Sequence, residues 1–160
     1  MRTKDTVLFG FIDNRHVLLE WKKAAFFGWS LKLPTNKWQK CTFEGTTLIE
    51  LNCSYNQLTT LPYLRSCVSL KKLDCSANQL TELPDLRLCV SLEYLDCSYN
   101  QLTELPDLFQ CVSLEKLYCF YNQFIELPDL RLCVSLKELY CSDNQLIEEP
   151  KVLPGVKVSS

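Results

Sequence analysis

LKKLDCSANQLTELPDLRLCVS, residues 70–91, returns almost unchanged as LEYLDCSYNQLTELPDLFQCVS at 92–113. LIELNCSYNQLTTLPYLRSCVS precedes the pair at 48–69 and LEKLYCFYNQFIELPDLRLCVS follows at 114–135, all four in register at a shift of 22 residues without a gap. A fifth copy, LKELYCSDNQLIEEPKVLPGVK from Leu136, decays along its length and leaves only Val158, Ser159 and Ser160. Self-similarity at one fixed period marks stacked units, none of which can bury its apolar face alone.

Within each copy, L-x-x-L-x-C alternates apolar and mixed residues, as a short strand with one buried face requires. Stacking then predicts columns of like side chains. Leu48, Leu70, Leu92, Leu114 and Leu136 form one, and Leu51, Leu73, Leu95, Leu117 and Leu139 form its neighbour. The return half has its own columns, Leu61, Leu83, Leu105 and Leu127 followed by Leu64, Leu86, Leu108 and Leu130. Pro62, Pro84, Pro106 and Pro128 fix φ and remove a donor at the same place in every copy, which argues against a full helix there. Asn56, Asn78, Asn100, Asn122 and Asn144 stand where the strand turns away, and their compact amides are expected to form a ladder that satisfies backbone groups of adjacent coils.

The pattern L-x-x-L-x-C-x-x-N-Q-[LF], five times in register, resembles the leucine-rich repeat family over about two thirds of the chain. Its short coils containing Leu-Pro are similar to those of bacterial effectors and large-virus repeat proteins rather than to the long helical coils of the ribonuclease inhibitor type. The resemblance implies a leucine-rich repeat solenoid: a curved right-handed coil with a parallel β-sheet on the concave face and extended or 3-10 turns on the convex face. Residues 48–158 are expected to hold five repeats, the last degenerate and capping. Residues 1–47 are expected to form an N-terminal cap, partly helical or a worn-down repeat.

Two readings of the cap compete. Asp13 or Asn14 can start a helix through about Phe27, with Val17, Leu18, Trp21, Ala24 and Ala25 on an apolar face. Alternatively, Phe26, Trp29 and Leu31 lie 22 residues before Leu48, Leu51 and Cys53 and suggest a degenerate coil. Trp21, Trp29, Trp38, Phe26, Phe27 and Phe43 are read as aromatic cover for the open end, and His16 as surface or cap structure. Gly45 and Gly155 stand where the second cysteine column would continue, and Glu149 where a leucine would.

Ten cysteines could signal disulfides or metal, so their spacing decides. Cys53, Cys75, Cys97, Cys119 and Cys141 end the strand segments, Cys67, Cys89, Cys111 and Cys133 precede each V-S-L, and only Cys41 lies outside these columns. The alternating intervals of 14 and 8 residues contain no C-x2-C pair and no nearby histidine, which disfavours zinc or copper. Straight stacking disfavours bridges between coils on dihedral grounds. Two ladders of small, buried, free thiols are expected, and with them a reducing compartment: the cytoplasm, or a host cell's cytoplasm for a viral or effector-derived chain. Asn52-Cys53-Ser54 matches a glycosylation acceptor by chance in this reading.

Composition narrows the function. Lys plus Arg is 17 against 19 Asp plus Glu, so the formal charge of -2 gives no electrostatic grip on nucleic acid or anionic membrane. Four glycines and one histidine leave little for a phosphate cradle or a histidine-based catalytic site. The apolar run Val7–Ile12 is too short for a secretory core or a bilayer span. No catalytic residue, metal ligand or cofactor is predicted, no nucleic acid or membrane partner is expected, and a monomer is the expected state.

Function is then expected on the concave face, where the residues between the leucines point. Three exposed rows are predicted: Glu50, Lys72, Tyr94, Lys116 and Glu138; Asn52, Asp74, Asp96, Tyr118 and Tyr140; and Ser54, Ser76, Ser98, Phe120 and Ser142. Tyr94, Tyr118, Phe120 and Tyr140, rimmed by Asp96, Lys116 and Glu138, have the composition of a hot spot for a protein or peptide partner, with Tyr99 and Tyr121 extending it. A carbohydrate held by Tyr94, Asp96 and Tyr118 is the alternative. Less favoured is a hydrolase using Asp74 and Asp96, for which the sequence implies neither a base nor an enclosed pocket.

Overall fold

The computed structural model describes residues 8–12, 15–19, 22–24, 28–32, 38–44, 47–61, 64–65 and 67–160, with side chains from Leu48 onward. Six parallel strands build the repeat region: β6 Thr47–Asn52, β7 Lys72–Asp74, β8 Tyr94–Asp96, β9 Lys116–Tyr118, β10 Glu138–Tyr140 and β11 Lys157–Ser159. They pair in sequence order, with Leu51, Leu73, Leu95, Leu117 and Leu139 in one register line. The result is a curved parallel-sheet solenoid.

The predicted leucine columns stack inside, with Leu127 alone among them only partly buried. Leu70, Leu73, Leu92, Leu95, Leu114 and Leu117 have no exposed surface, and the outer column Leu64, Leu86, Leu108 and Leu130 is also buried. Each leucine fills the space between its equivalents above and below, so burial is shared between coils rather than completed within one. On the convex side Cys67, Cys89, Cys111 and Cys133 donate their backbone N–H groups to the carbonyls three residues back, Leu64, Leu86, Leu108 and Leu130. That i→i−3 geometry becomes a 3-10 turn at Leu130–Leu132, where the Asp129 carboxylate accepts from the Arg131 backbone N–H. Asp85 and Asp107 hold the equivalent turns by accepting from the N–H groups of Arg87 and Phe109.

The asparagine ladder is present. Asn78 donates to the carbonyls of Cys53 (2.9 Å) and Cys75 (3.0 Å), and its Oδ1 accepts from the Leu58 N–H at 3.0 Å. Asn100, Asn122 and Asn144 repeat the same contacts between coils. The residue before each asparagine is left-handed: Tyr55, Ala77, Tyr99, Tyr121 and Asp143 have φ between 50 and 54°. This backward step redirects the chain out of the sheet and aims each amide inward. No glycine marks it.

Both ends depart from the expected pattern. β11 is a sixth strand, with Val158 opposite Leu139, so the last coil closes in 19 residues and not 22. Gly155, at φ +92°, sits in that shortened return, and Val152 and Val156 pack against the exposed end of the core.

At the other end, where the sequence favours a helix from Asp13 or Asn14 to about Phe27, the described residues are strands. β1 Leu8–Ile12 and β2 Arg15–Leu19 form an antiparallel pair in which Ile12 faces Arg15, so only two residues separate the strands. Pairing of Val17 with Gly10 and of Leu18 with Phe9 overrides an apolar spacing that a helix and a strand share. β3 Lys22–Ala24, β4 Gly28–Lys32 and β5 Trp38–Glu44 run antiparallel in turn, and β5 is antiparallel to β6. An antiparallel strand therefore occupies the edge where a preceding coil would lie parallel. Asp13, Asn14, Trp21, Ala25, Phe26 and Phe27, and the side chains of His16, Val17, Leu18, Ala24, Trp29, Leu31, Trp38, Cys41 and Phe43, lie outside the described residues.

Candidate interaction surface

Alternation along β7 to β10 turns one residue per strand into the core and its two neighbours onto the concave face. The central residue of each is buried, while Tyr94, Asp96, Lys116, Tyr118, Glu138 and Tyr140 are half-buried. Parallel register places Asp96 beside Tyr118 and Tyr118 beside Tyr140.

Three tyrosines form a continuous edge-to-face row. Tyr94 and Tyr118 have ring centroids 5.4 Å apart, and Tyr118 and Tyr140 are 5.0 Å apart, with interplanar angles of 78° and 84°. Polar contacts hold the row in place. The Tyr118 hydroxyl donates to Glu138 Oε2 at 2.9 Å, Lys116 Nζ lies 3.1 Å from Glu138 Oε1, and the Tyr94 hydroxyl donates to Asp96 Oδ2 at 3.2 Å. Lys157 donates to the Tyr140 hydroxyl at 2.7 Å, its ammonium 5.2 Å from the ring centroid. The Tyr118 hydrogen bond and then the Lys116 contact hold the Glu138 carboxyl below its ordinary pKa. Desolvation raises the Asp96 carboxyl, and it raises the Tyr118 phenol together with the bond to Glu138.

Phe120 belongs to a second group. It packs edge-on against Tyr99 at 5.2 Å and meets Tyr121 at 6.0 Å, while Tyr99 and Tyr121 stack at 4.6 Å with planes 11° apart. Tyr99 and Tyr121 are the left-handed residues of their turns, so this group follows the edge where the strands leave the sheet. The sequence grouping of Phe120 with Tyr118 thus resolves into a strand row and a turn stack.

The third predicted row is not wholly exposed. Ser76 and Ser98 are buried, Ser98 at 1% exposure, because each hydroxyl donates to the aspartate two residues earlier. Asp74 and Asp96 accept from the Ser76 and Ser98 backbone N–H groups as well, so both carboxylates close their turns.

All nine described cysteine side chains are free and buried. Cys89, Cys111 and Cys133 donate their thiols to the carbonyls of Leu64, Leu86 and Leu108 one coil away, at 3.6, 3.6 and 3.5 Å. Burial pushes the Cys89 and Cys111 thiols up to about 12 and the Cys133 thiol to about 11. Among the described residues, no group of three or more His, Cys, Asp or Glu could hold a metal ion, and no helix is long and apolar enough to cross a membrane.

Known proteins share this architecture. The functional domain of InlJ from Listeria monocytogenes, which includes a cysteine ladder, is 29% identical with a TM-score of 0.59, over 71% of this chain and 26% of its own. A leucine-rich repeat protein of Leptospira interrogans is 25% identical with a TM-score of 0.51, over 68% of this chain and 33% of its own. The ectodomain of the Arabidopsis thaliana receptor kinase SOBIR1, 22% identical with a TM-score of 0.56 over 79% of this chain and 66% of its own, shares the fold. The chain thus spans 26% and 33% of the two bacterial relatives' lengths. No curated protein matches the sequence. The model for leucine-rich repeats in two copies matches residues 46–88 and 90–132, more than half of the chain, and with the buried columns and the parallel sheet it establishes that the chain belongs to the leucine-rich repeat family.

Proposed function

We propose that the chain is a protein-interaction module that binds a protein or peptide through its concave face, with Tyr94, Tyr118 and Tyr140 as anchors, Asp96, Lys116 and Glu138 as rim, and Phe120 on the adjoining edge. The observation that carries this reading is the edge-to-face row of tyrosines, held by hydrogen bonds to Asp96, Glu138 and Lys157 on a sheet face that no other element covers among the described residues. Aromatic side chains already fixed in place lose little freedom on binding and offer large apolar area with a polar tip. Each ordered ring therefore gives more to association than a mobile side chain of equal size.

The test is affinity capture with the wild-type chain and with Tyr118→Ala/Phe120→Ala, followed by crosslinking to locate the bound surface. The reading expects capture to fall with the double substitution while the unfolding midpoint remains close to wild type, and crosslinks to lie on β8 to β10. Undiminished capture by the folded variant discards the concave face. Selective retention of a glycan on an array, with no protein captured, would favour the carbohydrate class instead. A reducing compartment, the cytoplasm of the producing cell or of a host, is part of the same proposal and is supported by the free buried thiols.

A further inference from the structure

Asn52, Asp74 and Asp96 occupy one position in three successive coils and do the same structural work. Asn52 Oδ1 accepts from the Ser54 N–H and hydroxyl at 3.1 and 2.8 Å; Asp74 Oδ1 accepts from those of Ser76 at 3.1 and 2.7 Å; Asp96 Oδ1 accepts from those of Ser98. An amide oxygen in the first coil thus closes the turn as the carboxylates do in the next two. In the fourth and fifth coils the position is Tyr118 and Tyr140, so the repeat forms without an acceptor there. The turn therefore forms without a negative charge at this position, and the second oxygens, Asp74 Oδ2 and Asp96 Oδ2, accept among the described residues only from neutral donors, the Asn52 side-chain amide at 2.9 Å and the Tyr94 hydroxyl at 3.2 Å.

The two negative charges are poorly placed. Asp74 and Asp96 face one another across β7 and β8, where like charges in register repel. The cations of the concave face are engaged elsewhere: Lys72 with Glu50 at 3.1 Å, Lys116 with Glu138 at 3.1 Å, and Lys157 with Tyr140. Among the described residues, neither aspartate has an ion-pair partner. A recess lined by Glu50, Asn52, Lys72, Asp74 and Tyr94 opens on the Asp74 side of the pair. At the far end of the adjoining row a cation is already received, the Lys157 ammonium meeting the Tyr140 hydroxyl at 2.7 Å.

We propose that the partner inserts a basic side chain, lysine or arginine, between Asp74 and Asp96 and against the ring of Tyr94. This rests on the concave-face reading and adds to it the chemistry of the partner. A cation there offsets the repulsion between the two carboxylates and lies against an aromatic ring.

The test is a random peptide display library panned on the wild-type chain. Selected peptides are then measured against wild type, Tyr118→Ala and Asp74→Asn/Asp96→Asn, and resynthesised with citrulline for arginine or acetyl-lysine for lysine. Asparagine suits the aspartate variant, because Asn52 already closes the same turn. The proposal expects peptides carrying lysine or arginine, weakened by Tyr118→Ala, by neutralising the basic residue and by the asparagine variant, the last two by about tenfold or more each and not additively. Peptides that need Tyr118 but are indifferent to neutralisation on either side overturn the basic-partner inference and leave the concave face standing. Peptides indifferent to Tyr118→Ala, or no selected peptide at all, overturn both. If the asparagine variant fails to fold, the citrulline and acetyl-lysine peptides still decide.

Discussion

Asn100 donates its side-chain amide to the backbone carbonyl of Cys75, one coil earlier, at 3.1 Å. The same amide reaches the carbonyls of Cys97 and Ser98, and Oδ1 accepts from the Leu80 N–H at 3.0 Å. One side chain thus ties backbone groups of two coils together, and Asn100→Ala leaves the Leu80 N–H without its acceptor, while the carbonyls of Cys75, Cys97 and Ser98 keep the donors of Asn78, Asn122 and Ala77. The expected cost is about 1 to 3 kcal/mol, read from the urea midpoint. Asn56 supplies the internal control. It donates only within its own coil, and its buried Oδ1 has no hydrogen-bond partner among the described residues, so Asn56→Ala is expected to cost less. Equal losses at the two positions would show that contacts between coils are not what the ladder contributes.

Ala77, at φ 52°, spends a left-handed conformation in which its Cβ crowds the backbone, although the turn does not require a side chain there. Ala77→Gly removes that crowding at the expense of a more flexible unfolded chain. The balance favours the folded state by about 0.5 to 1 kcal/mol. Ala77→Val should move the midpoint the other way and by more, since a β-branched residue is disfavoured at positive φ. A stabilising valine or a destabilising glycine would contradict the geometry.

These two turn residues show where sequence reading reaches and where it stops. Asn100 was legible because hydrogen-bond chemistry demands one residue type at that position, and the repeat therefore preserves it. The left-handed step beside it is filled by Tyr55, Ala77, Tyr99, Tyr121 and Asp143, whose common property is a backbone angle and leaves no mark in composition. The leucine columns were legible for the reason Asn100 was. Strand β11 was not, because a 19-residue return breaks the self-match that reveals every other coil. In the N-terminal stretch, Val17 and Leu18 fit a helical face as well as a strand, and pairing with Phe9 and Gly10 decides between them. On the concave face, alternation assigned Tyr94, Asp96, Tyr118 and Tyr140 to the same side. It could not anticipate that the aspartates bury Ser76 and Ser98 beneath them, or that Phe120 turns toward Tyr99.

The buried thiols give the fold a pH limit. An ordinary thiol titrates near 9.0, while burial holds Cys89 and Cys111 protonated to about 12 and Cys133 to about 11. Above pH 9 the unfolded chain therefore releases thiol protons that the folded chain retains, and stability must fall as pH rises. The contribution is fully present below the unfolded value and is lost progressively as pH climbs toward the folded ones, each thiol costing up to about 1.4 kcal/mol per pH unit. Tyrosines ionise from about pH 10 in the unfolded chain, so the interval from about 9 to 10 reports mainly on the thiols. The urea midpoint is expected to be level from about pH 7 to 8 and to drop steeply above about 9. Protonated, buried thiols are also poor nucleophiles, so the nine described thiols should react with a disulfide reagent at neutral pH at the rate of unfolding, and all ten groups of the chain should titrate in denaturant. A midpoint level through about pH 10, or rapid modification of more than one thiol of the native chain, would mean that these thiols are neither as dry nor as tightly bonded to the neighbouring coil as their geometry requires.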